Sequence, residues 1–389
     1  MGPACSWASP GLQGGRVLQF CQMWPLREIS LNNGTLALPQ FLPDATFGQV
    51  RGLDALATAA CGVKAVMMNT FHLMQKPGSG AIRSLGGLRQ MTGWESAVFT
   101  DSGGFQAYSL IRQNSRFGQL NDNGIIFFPS GRDRKFMLTP EKCVQLQMGF
   151  GAQVIFCLDD CTHVDDPQQE QEKSVARTVA WGERCKKEYS RLLEEKRVGD
   201  GQRPLIFAVV QGGQSLELRT RCAQALLETG FDGFGYGGWP LDESGALVED
   251  MLALTRALIP SRYPLHALGV GHPPFIARCA RMGYSLFDSA MPTRDARHGR
   301  LYRFASQSVA VSADHEEWFE YVYVHDRRHH RSSTPIEDGC GCPVCSRYSL
   351  AYLRHLYKLN DSLYLQLATM HNLAFMARLM EHIRIRESQ

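Results

Sequence analysis

The sequence predicts an α/β protein built on a (β/α)8 TIM barrel, with a zinc-binding subdomain inserted or appended near the C-terminus. Short runs rich in Val, Ile, Phe and Ala alternate with segments of helical character, which is the pattern of repeated βα units. Because the runs are apolar throughout, they indicate parallel strands buried on both faces. The seven runs are Ala65 to Asn69, Ala97 to Asp101, Val154 to Asp159, Leu205 to Gln211, Gly233 to Gly238, Leu265 to Gly271 and Leu286 to Thr293.

The ends of these runs favour a barrel over an open, doubly wound sheet. In a barrel they meet on one rim and form a single site, whereas in an open sheet only the switch point binds ligand. An eighth strand is sought between Ser30 and Pro43, although Asn33-Gly34 is typical of a hairpin turn instead. Nearly every run ends in a polar residue or glycine, namely Asn69, Asp101, Asp159, Gln211, Gly237-Gly238, Gly271 and Asp288.

Candidate helices lie between the runs. Thr139-Pro140-Glu141 opens one with a cap, a proline in the first turn and an acid near the positive end of the helix dipole. After Thr293 the alternation stops, and residues 295–339 are predicted to be polar and irregular, before a cysteine cluster and a helical tail. The other helices are predicted over Gln169 to Leu193, Ser215 to Thr229, Glu243 to Leu258 and Pro274 to Gly283.

Composition excludes several classes of protein. The chain has 389 residues, of which 44% are hydrophobic and 20% charged, and this excludes disorder over most of its length. The net charge of +3 excludes a polybasic tail protein, and no apolar run approaches the roughly 20 residues of a transmembrane helix, so no membrane association is expected. Twelve cysteines spread through a large chain predict a reducing cytoplasm rather than a secreted disulfide scaffold.

Two segments are distinguished along the chain. Residues 1–26 lack the long apolar stretch of a secretory signal and are predicted to form a poorly ordered leader. Residues 27–389 are predicted to form the barrel domain, including the zinc-binding subdomain at about 300–375.

The C-terminal region carries a candidate zinc site. Cys340, Cys342 and Cys345 place three thiols within six residues, and His371 follows 26 positions after the last. Three thiolates and one imidazole complete a closed, structural tetrahedral site. The alternative is a turn with free thiols, but thiolates this close repel one another unless a metal neutralises them.

Three acidic strand ends are predicted to converge on the rim. Asp101 is followed by Ser102 and two glycines that let a ligand approach the backbone, and Asp159 and Asp288 end two other runs. A strand-end aspartate is usually a helix cap or loop anchor; three together indicate a site that grips a polar ring and does chemistry on it. Two carboxylates with distinct roles are what displacement at an anomeric carbon requires.

Against this background the sequence resembles bacterial tRNA-guanine transglycosylase, also called queuine tRNA-ribosyltransferase, from about Gly34 to Arg386. The resemblance implies a zinc-containing barrel that replaces guanine at the wobble position of tRNA with a G-U anticodon core by a 7-deazaguanine base. That reaction belongs to queuosine biosynthesis, and the family forms homodimers. The motifs that carry the resemblance are Asn69-Thr-Phe-His72-Leu, Thr100-Asp-Ser-Gly-Gly104, Gln211-Gly-Gly213, Gly237-Gly238, Gly269-Val-Gly271, Phe287-Asp288, Pro292-Thr-Arg294 and the CxCxxC with its distant histidine.

The resemblance also implies a role for each residue of the site. Asp288 would be the nucleophile that forms a covalent ribosyl-aspartate, and Asp101 the general acid and base. Arg294 and Arg297 would bind tRNA phosphates, with surface salt bridges as the alternative. The base-binding residues would be Asp159 at N1 and the 2-amino group, Gln211 and the Gly238 N–H at O6, Phe105 and Leu268 on the two ring faces, Ser102 at the base or its ribose, and Cys161 and Leu241 in the wall of the pocket.

One pocket segment departs from the family pattern. The usual Gly-Gly-Leu-Ala-Val reads Gly237-Gly238-Trp239-Pro240-Leu241 here. In the family that the sequence resembles, the peptide between the third and fourth of these residues turns either its carbonyl or its N–H to the 7-substituent. Pro240 has no N–H, so only the carbonyl can serve here. A carbonyl at this position favours 7-aminomethyl-7-deazaguanine over the nitrile precursor. Leu241 and Cys161 argue against queuine as the incoming base.

Three alternatives stay open at this point. One is a non-catalytic RNA-binding subunit of the same fold, although such relatives tend to lose the nucleophile or the acid. A second is a version of the enzyme that uses queuine. A third is a glycoside hydrolase, which leaves the CxCxxC and the Asp159/Gln211 pair unexplained.

Overall fold

The computed structural model describes residues 26–128, 135–163, 166–306 and 310–386. The leader predicted for residues 1–26 lies outside these ranges except for Leu26. In the described part of the chain the strands are β1 (Glu28–Leu31), β2 (Gly34–Ala37), β3 (Gln40–Pro43), β4 (Ala65–Met68), β5 (Ala97–Thr100), β6 (Gly118–Asn121), β7 (Gly124–Phe127), β8 (Phe136–Leu138), β9 (Val154–Phe156), β10 (Leu205–Val210), β11 (Gly233–Tyr236), β12 (Leu265–Ala267), β13 (Leu286–Ser289), β14 (Arg300–Phe304) and β15 (Phe319–Tyr323).

The α-helices surround these strands, and a π-helical turn at Met74–Gly78 joins two of them. In the same ranges they are α1 (Ala55–Ala60), α2 (Thr70–Leu73), α3 (Ser79–Ser84), α4 (Leu88–Thr92), α5 (Gly104–Gln113), α6 (Pro140–Phe150), α7 (Gln168–Lys196), α8 (Leu216–Thr229), α9 (Glu249–Leu258), α10 (Pro273–Arg281), α11 (Met291–Arg297), α12 (Leu350–Lys358) and α13 (Ser362–Arg386).

Eight strands form a parallel sheet in the order β3-β13-β12-β11-β10-β9-β5-β4. The two ends of this sheet meet at a parallel bridge between Asp44 and Met67, where the Ala45 N–H donates to the Met67 carbonyl at 2.7 Å. The sheet therefore closes into the predicted (β/α)8 barrel, and the open-sheet alternative is excluded. The missing eighth strand is β3, which follows directly after the β1–β2 hairpin rather than being replaced by it.

The interior of the barrel is apolar and closed at the amino-terminal end of the strands. Ile29 and Leu36 of the hairpin pack in one cluster with the first residues of the barrel strands, such as Ala65, Ala97 and Val154. A second, larger cluster lies between the strands and the outer helices. Because one end is filled by the hairpin, a ligand can enter the barrel only at the carboxyl-terminal rim.

Most predicted helices are confirmed, including the one opened by Thr139, whose hydroxyl accepts from the Lys142 N–H at 3.1 Å. The predicted start of α9 at Glu243 was wrong, because the Asp242 carboxylate accepts from the Ser244 and Ala246 N–H groups and fixes a turn there. The helix begins at Glu249.

Two predictions after Leu286 were also wrong. The run to Thr293 is too long as a strand, because β13 ends at Ser289 and Pro292 lies in the first turn of α11. Residues 295–339 are not irregular throughout, since β14 and β15 pair antiparallel over five positions. No helix in the described ranges is long and apolar enough to cross a membrane.

Candidate active site and metal centre

Asp101 follows β5 and is held by three donors. Its Oδ2 accepts from Asn69 Nδ2 at 2.7 Å, and its Oδ1 accepts from the N–H groups of Thr70 at 3.0 Å and Gly103 at 3.1 Å. Burial raises the pKa of Asp101 to about 7; the two N–H bonds oppose this rise, and the charge of Asp288 adds to it. A carboxyl group with a pKa near neutrality can both give and take a proton at physiological pH, as a general acid and base must.

Asp159 and Gln211 form a hydrogen-bonded pair on neighbouring parts of the rim. Gln211 Nε2 donates to Asp159 Oδ2 at 2.7 Å, and Ser102 Oγ donates to Asp159 Oδ1 at 3.3 Å. Burial raises the pKa of Asp159 to about 6, although both hydrogen bonds lower it. Gln211 is fully buried, and its Oε1 has no partner among the described residues. An amide nitrogen has two hydrogens, so Gln211 can donate to a ligand only through the second.

Asp288 is the next-to-last residue of β13 and is held at one oxygen. Oδ1 lies 2.8 Å from His266 Nε2 and 3.1 Å from the Gly269 N–H, and the side chain is 20% exposed. No described residue donates a hydrogen bond to Oδ2. The environment of Asp288 therefore differs from that of Asp101, because hydrogen bonds hold both oxygens of Asp101 but only one oxygen of Asp288.

The wall of the site combines exposed rings with a tightly packed backbone. Phe105 and Trp239 are each 41% exposed, and their ring centroids lie 5.6 Å apart in an edge arrangement. Leu268 is half-buried, and a Cβ on Gly235 would come within 3.0 Å of its Cδ1. A flat ligand would thus meet aromatic surface at the mouth and aliphatic surface on the barrel side.

Cys161 and Leu241 lie close to the glycine segment. The Cys161 thiol donates to the Thr162 carbonyl at 3.7 Å, and burial raises the pKa of that thiol well above its usual range. Gly238 has a φ of +89°, which favours glycine. Leu241 is half-buried and forms an isolated bridge with Leu247. Because the thiol of Cys161 stays protonated at physiological pH, it adds a neutral surface beside the glycine segment.

A buried arginine fixes two loops of the rim. Arg219 of α8 is fully buried and donates to the carbonyls of Val210 at 3.1 Å, Gly213 at 2.8 Å and Gly237 at 3.1 Å. Its guanidinium also lies 4.1 Å from the centroid of the Tyr236 ring. Arg219 was not predicted from the sequence, because an arginine on an amphipathic helix is usually on the surface.

Two further residues of the site were missed. Asp44 follows β3, its Oδ1 accepts from the Thr46 N–H at 3.1 Å, and burial together with the charge of Asp288 raises its pKa. Its position at the end of a barrel strand was the available signal, but the sequence does not locate that strand within the segment from Ser30 to Pro43. His266 was also missed, although it is the one imidazole in the apolar run from Leu265 to Gly271.

Arg294 and Arg297 lie on α11, directly after the strand that carries Asp288. Arg294 is exposed, Arg297 is half-buried, and neither forms an ion pair with a carboxylate of the described residues. Burial lowers the pKa of Arg297, as do the nearby charges of Arg51 and Arg294, and its Nη1 is buried without a partner in the described ranges. The salt-bridge alternative therefore finds no support.

The four predicted metal ligands come together. Their ligand atoms lie within 4.8 Å of one another, and His371 Nδ1 is 3.9, 3.6 and 3.4 Å from the sulfurs of Cys340, Cys342 and Cys345. A nitrogen and a sulfur bound to one tetrahedral zinc ion are about 3.5 Å apart. His371 Nε2 donates to the Tyr302 carbonyl at 2.6 Å, which leaves Nδ1 free to bind metal. The cluster therefore fits a metal ion, because His371 of α13 comes within reach of all three thiols.

Comparison with known proteins gives one consistent family. The family model for queuine tRNA-ribosyltransferase matches residues 26–387. A queuine tRNA-ribosyltransferase from Psychrobacter cryohalolentis is 33% identical over 356 residues, which cover 92% of this chain and 88% of that protein. Proteins of the same name from Shewanella sediminis and Solidesulfovibrio magneticus are also 33% identical, over 90% and 92% of this chain and 86% and 89% of their own.

We expect the purified protein to hold one metal ion per chain in the cluster of Cys340, Cys342, Cys345 and His371. Changing Cys342→Ser removes one of four ligands, so metal should be lost and the free energy of unfolding should fall by about 4 kcal/mol or more. Cys279→Ala removes a buried thiol outside the cluster and should leave the metal content unchanged. Elemental analysis and urea unfolding measure both quantities, and equal metal content in the two variants would contradict the assignment.

Proposed function

The chain belongs to the queuine tRNA-ribosyltransferase family, and we propose that it replaces guanine at the wobble position of tRNA by a 7-deazaguanine base, through a covalent ribosyl-aspartate. Members of this family are pentosyltransferases. The observation that carries the proposal is the contrast between two carboxylates on one rim. Burial raises the pKa of Asp101 to about 7, whereas Asp288 is 20% exposed and accepts hydrogen bonds from the described residues at Oδ1 alone.

Asp288 is the nucleophile of the proposed reaction. Its carboxylate attacks C1′ of the target ribose while the bond between C1′ and N9 of guanine breaks, and the electron pair of that bond leaves with guanine. Protonated Asp101 gives its proton to the departing base. The incoming base then loses a proton to Asp101 and attacks C1′, and the carboxylate of Asp288 is released. The phosphodiester backbone takes no part in these steps.

The Asp159 and Gln211 pair is the proposed reader of the base. A carboxylate accepts from the N1–H and 2-amino groups of a guanine-like ring, whereas adenine presents no donor at N1. The second hydrogen of Gln211 Nε2 and the Gly238 N–H supply donors for O6. Phe105 and Leu268 cover the two faces of the ring, and Ser102 supports the carboxylate of Asp159 from the other oxygen.

Arg294 and Arg297 are the proposed phosphate contacts, because they follow the nucleophile on the next helix and lack acidic partners in the described ranges. Together with Arg51 they place positive charge beside an acidic pocket, which suits a polyanion whose target sugar must reach that pocket. The G-U anticodon core of the tRNA follows from the family resemblance.

The metal we propose is zinc in a structural role, because three thiolates and an imidazole leave no open position for catalysis. We place the protein in the cytoplasm, since none of the ten described cysteines forms a disulfide and thiolate ligands need a reducing compartment. A homodimer formed near the metal cluster is also proposed. Tyr348 and Tyr352 stack there with centroids 5.4 Å apart, and Tyr352 is 38% exposed.

Base exchange tests the proposal directly. Radiolabelled guanine incubated with tRNA bearing a G-U anticodon core should enter the tRNA, and Asp288→Ala should abolish incorporation because no covalent intermediate can form. Glu95→Gln, which changes an exposed carboxylate outside the site, serves as the control. Binding of tRNA without incorporation by the wild type would favour a non-catalytic subunit, and release of free sugar would favour a hydrolase.

The pH profile of the rate of guanine release should have an acidic limb and an alkaline limb. Asp101 must be protonated to act as the acid, and with a pKa of about 7 it loses that form as the pH rises through 7. Asp159 must be ionised to read the base, and with a pKa of about 6 it loses that form as the pH falls through 6. Single-turnover release should therefore be fastest between pH 6 and 7.

Asp44→Asn tests the cause of the alkaline limb. The charge of Asp44 contributes to the raised pKa of Asp101, so its removal should move that limb to lower pH. Glu95→Gln again removes one negative charge without touching the site. An alkaline limb that stays in place in Asp44→Asn would show that Asp101 does not determine it.

Pro240 should determine the preferred 7-substituent. The peptide between Trp239 and Pro240 has no N–H, so the Trp239 carbonyl is the group available to a 7-substituent, and it accepts from the ammonium of an aminomethyl group but not from a nitrile. In competition assays we expect higher kcat/KM for 7-aminomethyl-7-deazaguanine than for the nitrile, and Pro240→Ala should narrow the difference by restoring an N–H. Equal use of both bases by the wild type would contradict this role, and use of queuine would identify the queuine-using alternative.

A further inference from the structure

His266 lies on the interior face of the barrel, directly beneath the proposed nucleophile. It pairs in register with Leu286 on β13, and Leu286 packs in the apolar cluster that fills the barrel. Asp288 follows Leu286 by two residues, so it lies on the same face of β13, one layer nearer the rim. The imidazole is fully buried, and its ring meets that of Phe156 edge-on with centroids 5.6 Å apart.

The hydrogen bonds of His266 indicate that its imidazole serves the carboxylate of Asp288. A carboxylate oxygen can only accept, so the 2.8 Å contact to Asp288 Oδ1 assigns the imidazole proton to Nε2. Nδ1 is buried and has no partner among the described residues. In the described structure the imidazole thus makes its one side-chain hydrogen bond to the carboxylate of Asp288, although it lies among apolar neighbours that an aliphatic side chain would suit better.

The same oxygen receives a second donor. The Gly269 N–H lies 3.1 Å from Oδ1, on the loop that follows β12, the strand that carries His266. Two donors from one βα unit therefore hold one oxygen of the carboxylate. The other oxygen, Oδ2, has no donor in the described ranges and keeps its lone pairs for a new bond.

We infer that His266 is a positioning residue for the nucleophile: with the Gly269 N–H it fixes Asp288 Oδ1, selects Oδ2 as the attacking atom and stabilises the carboxylate when it leaves. The inference rests on the proposed function. As Oδ2 bonds to C1′, the C1′–N9 bond breaks and guanine departs with that electron pair and the proton of Asp101. Oδ1 then becomes the carbonyl oxygen of the ester and keeps both of its donors.

The second half-reaction shows why these donors matter. When N9 of the incoming base attacks C1′, the bond between C1′ and Oδ2 breaks and its electron pair returns to the carboxylate. The negative charge that forms is shared with Oδ1, which already accepts from His266 and Gly269. Donors placed in advance where charge develops are worth more than donors that must reorganise. Loss of His266 should therefore slow breakdown of the ester at least as much as its formation.

Two amide variants separate this role from packing. His266→Gln places an amide N–H at about the reach of Nε2, whereas the shorter His266→Asn cannot extend to Oδ1, and both carry the same polar group. Each is incubated with tRNA, the SDS-stable protein–tRNA adduct is measured over time, and excess guanine is then added to follow its breakdown. We expect His266→Asn to lose about 100-fold in the rate of breakdown, with KM for tRNA unchanged, and His266→Gln to recover most of that loss.

The outcomes distinguish this inference from the function on which it rests. Equal breakdown rates in the two amide variants, whether high or low, would overturn the role of His266. If the wild type forms no adduct, or if Asp288→Ala still exchanges guanine, the proposed function itself is wrong. Thermal unfolding of both amide variants completes the experiment, because a purely structural role predicts that activity follows melting temperature rather than the reach of the amide.

Discussion

Burial of several carboxylates on one rim is the constraint on which the arrangement of the site depends. Parallel strands bring their carboxyl-terminal ends together, so Asp44, Asp101, Asp159 and Asp288 share a small, partly desolvated region. Burying an ionised carboxylate is costly unless hydrogen bonds or opposite charges compensate for the lost water. Each of these four carboxylates accepts hydrogen bonds from its own set of donors. The donor sets differ, and this difference allows residues of one chemical type to take different roles.

The rest of the fold keeps those donors in place. The β1–β2 hairpin closes the opposite end of the barrel, so the polar rim rests on a packed apolar interior. Arg219 links the loops after β10 and β11 through three backbone carbonyls, and these loops carry Gln211 and Gly238. A Cβ on Gly237 would lie 2.6 Å from the amide of Gln211, so the close approach of these two segments requires glycine. The geometry of the pocket is therefore set by buried contacts beneath it.

The sequence predicts those site residues that lie at the ends of apolar runs. Asp101, Asp159, Gln211 and Asp288 could be found because each follows an apolar run at the point where a strand must end. His266 could not, because one polar residue inside a run gives no indication of which neighbouring strand it contacts. Asp44 was missed because its strand is only four residues long and directly follows a hairpin. Pro39 precedes this strand and Pro43 is its last residue, which makes the strand hard to recognise. The β14–β15 pair was also missed, although Phe-Glu-Tyr-Val-Tyr in β15 contains the aromatic and β-branched residues that favour strands.

The net charge of +3 also acquires a different meaning from the structure. Averaged over 389 residues it is almost neutral, yet negative and positive groups are separated across a single βα unit. Asp288 is the next-to-last residue of β13, and Arg294 and Arg297 follow on α11, so one βα unit holds both the proposed nucleophile and the cations. A phosphate bound by α11 would place the adjoining sugar at a fixed distance from the carboxylate. Local charge separation can therefore direct a polyanion to an acidic pocket that would otherwise repel it.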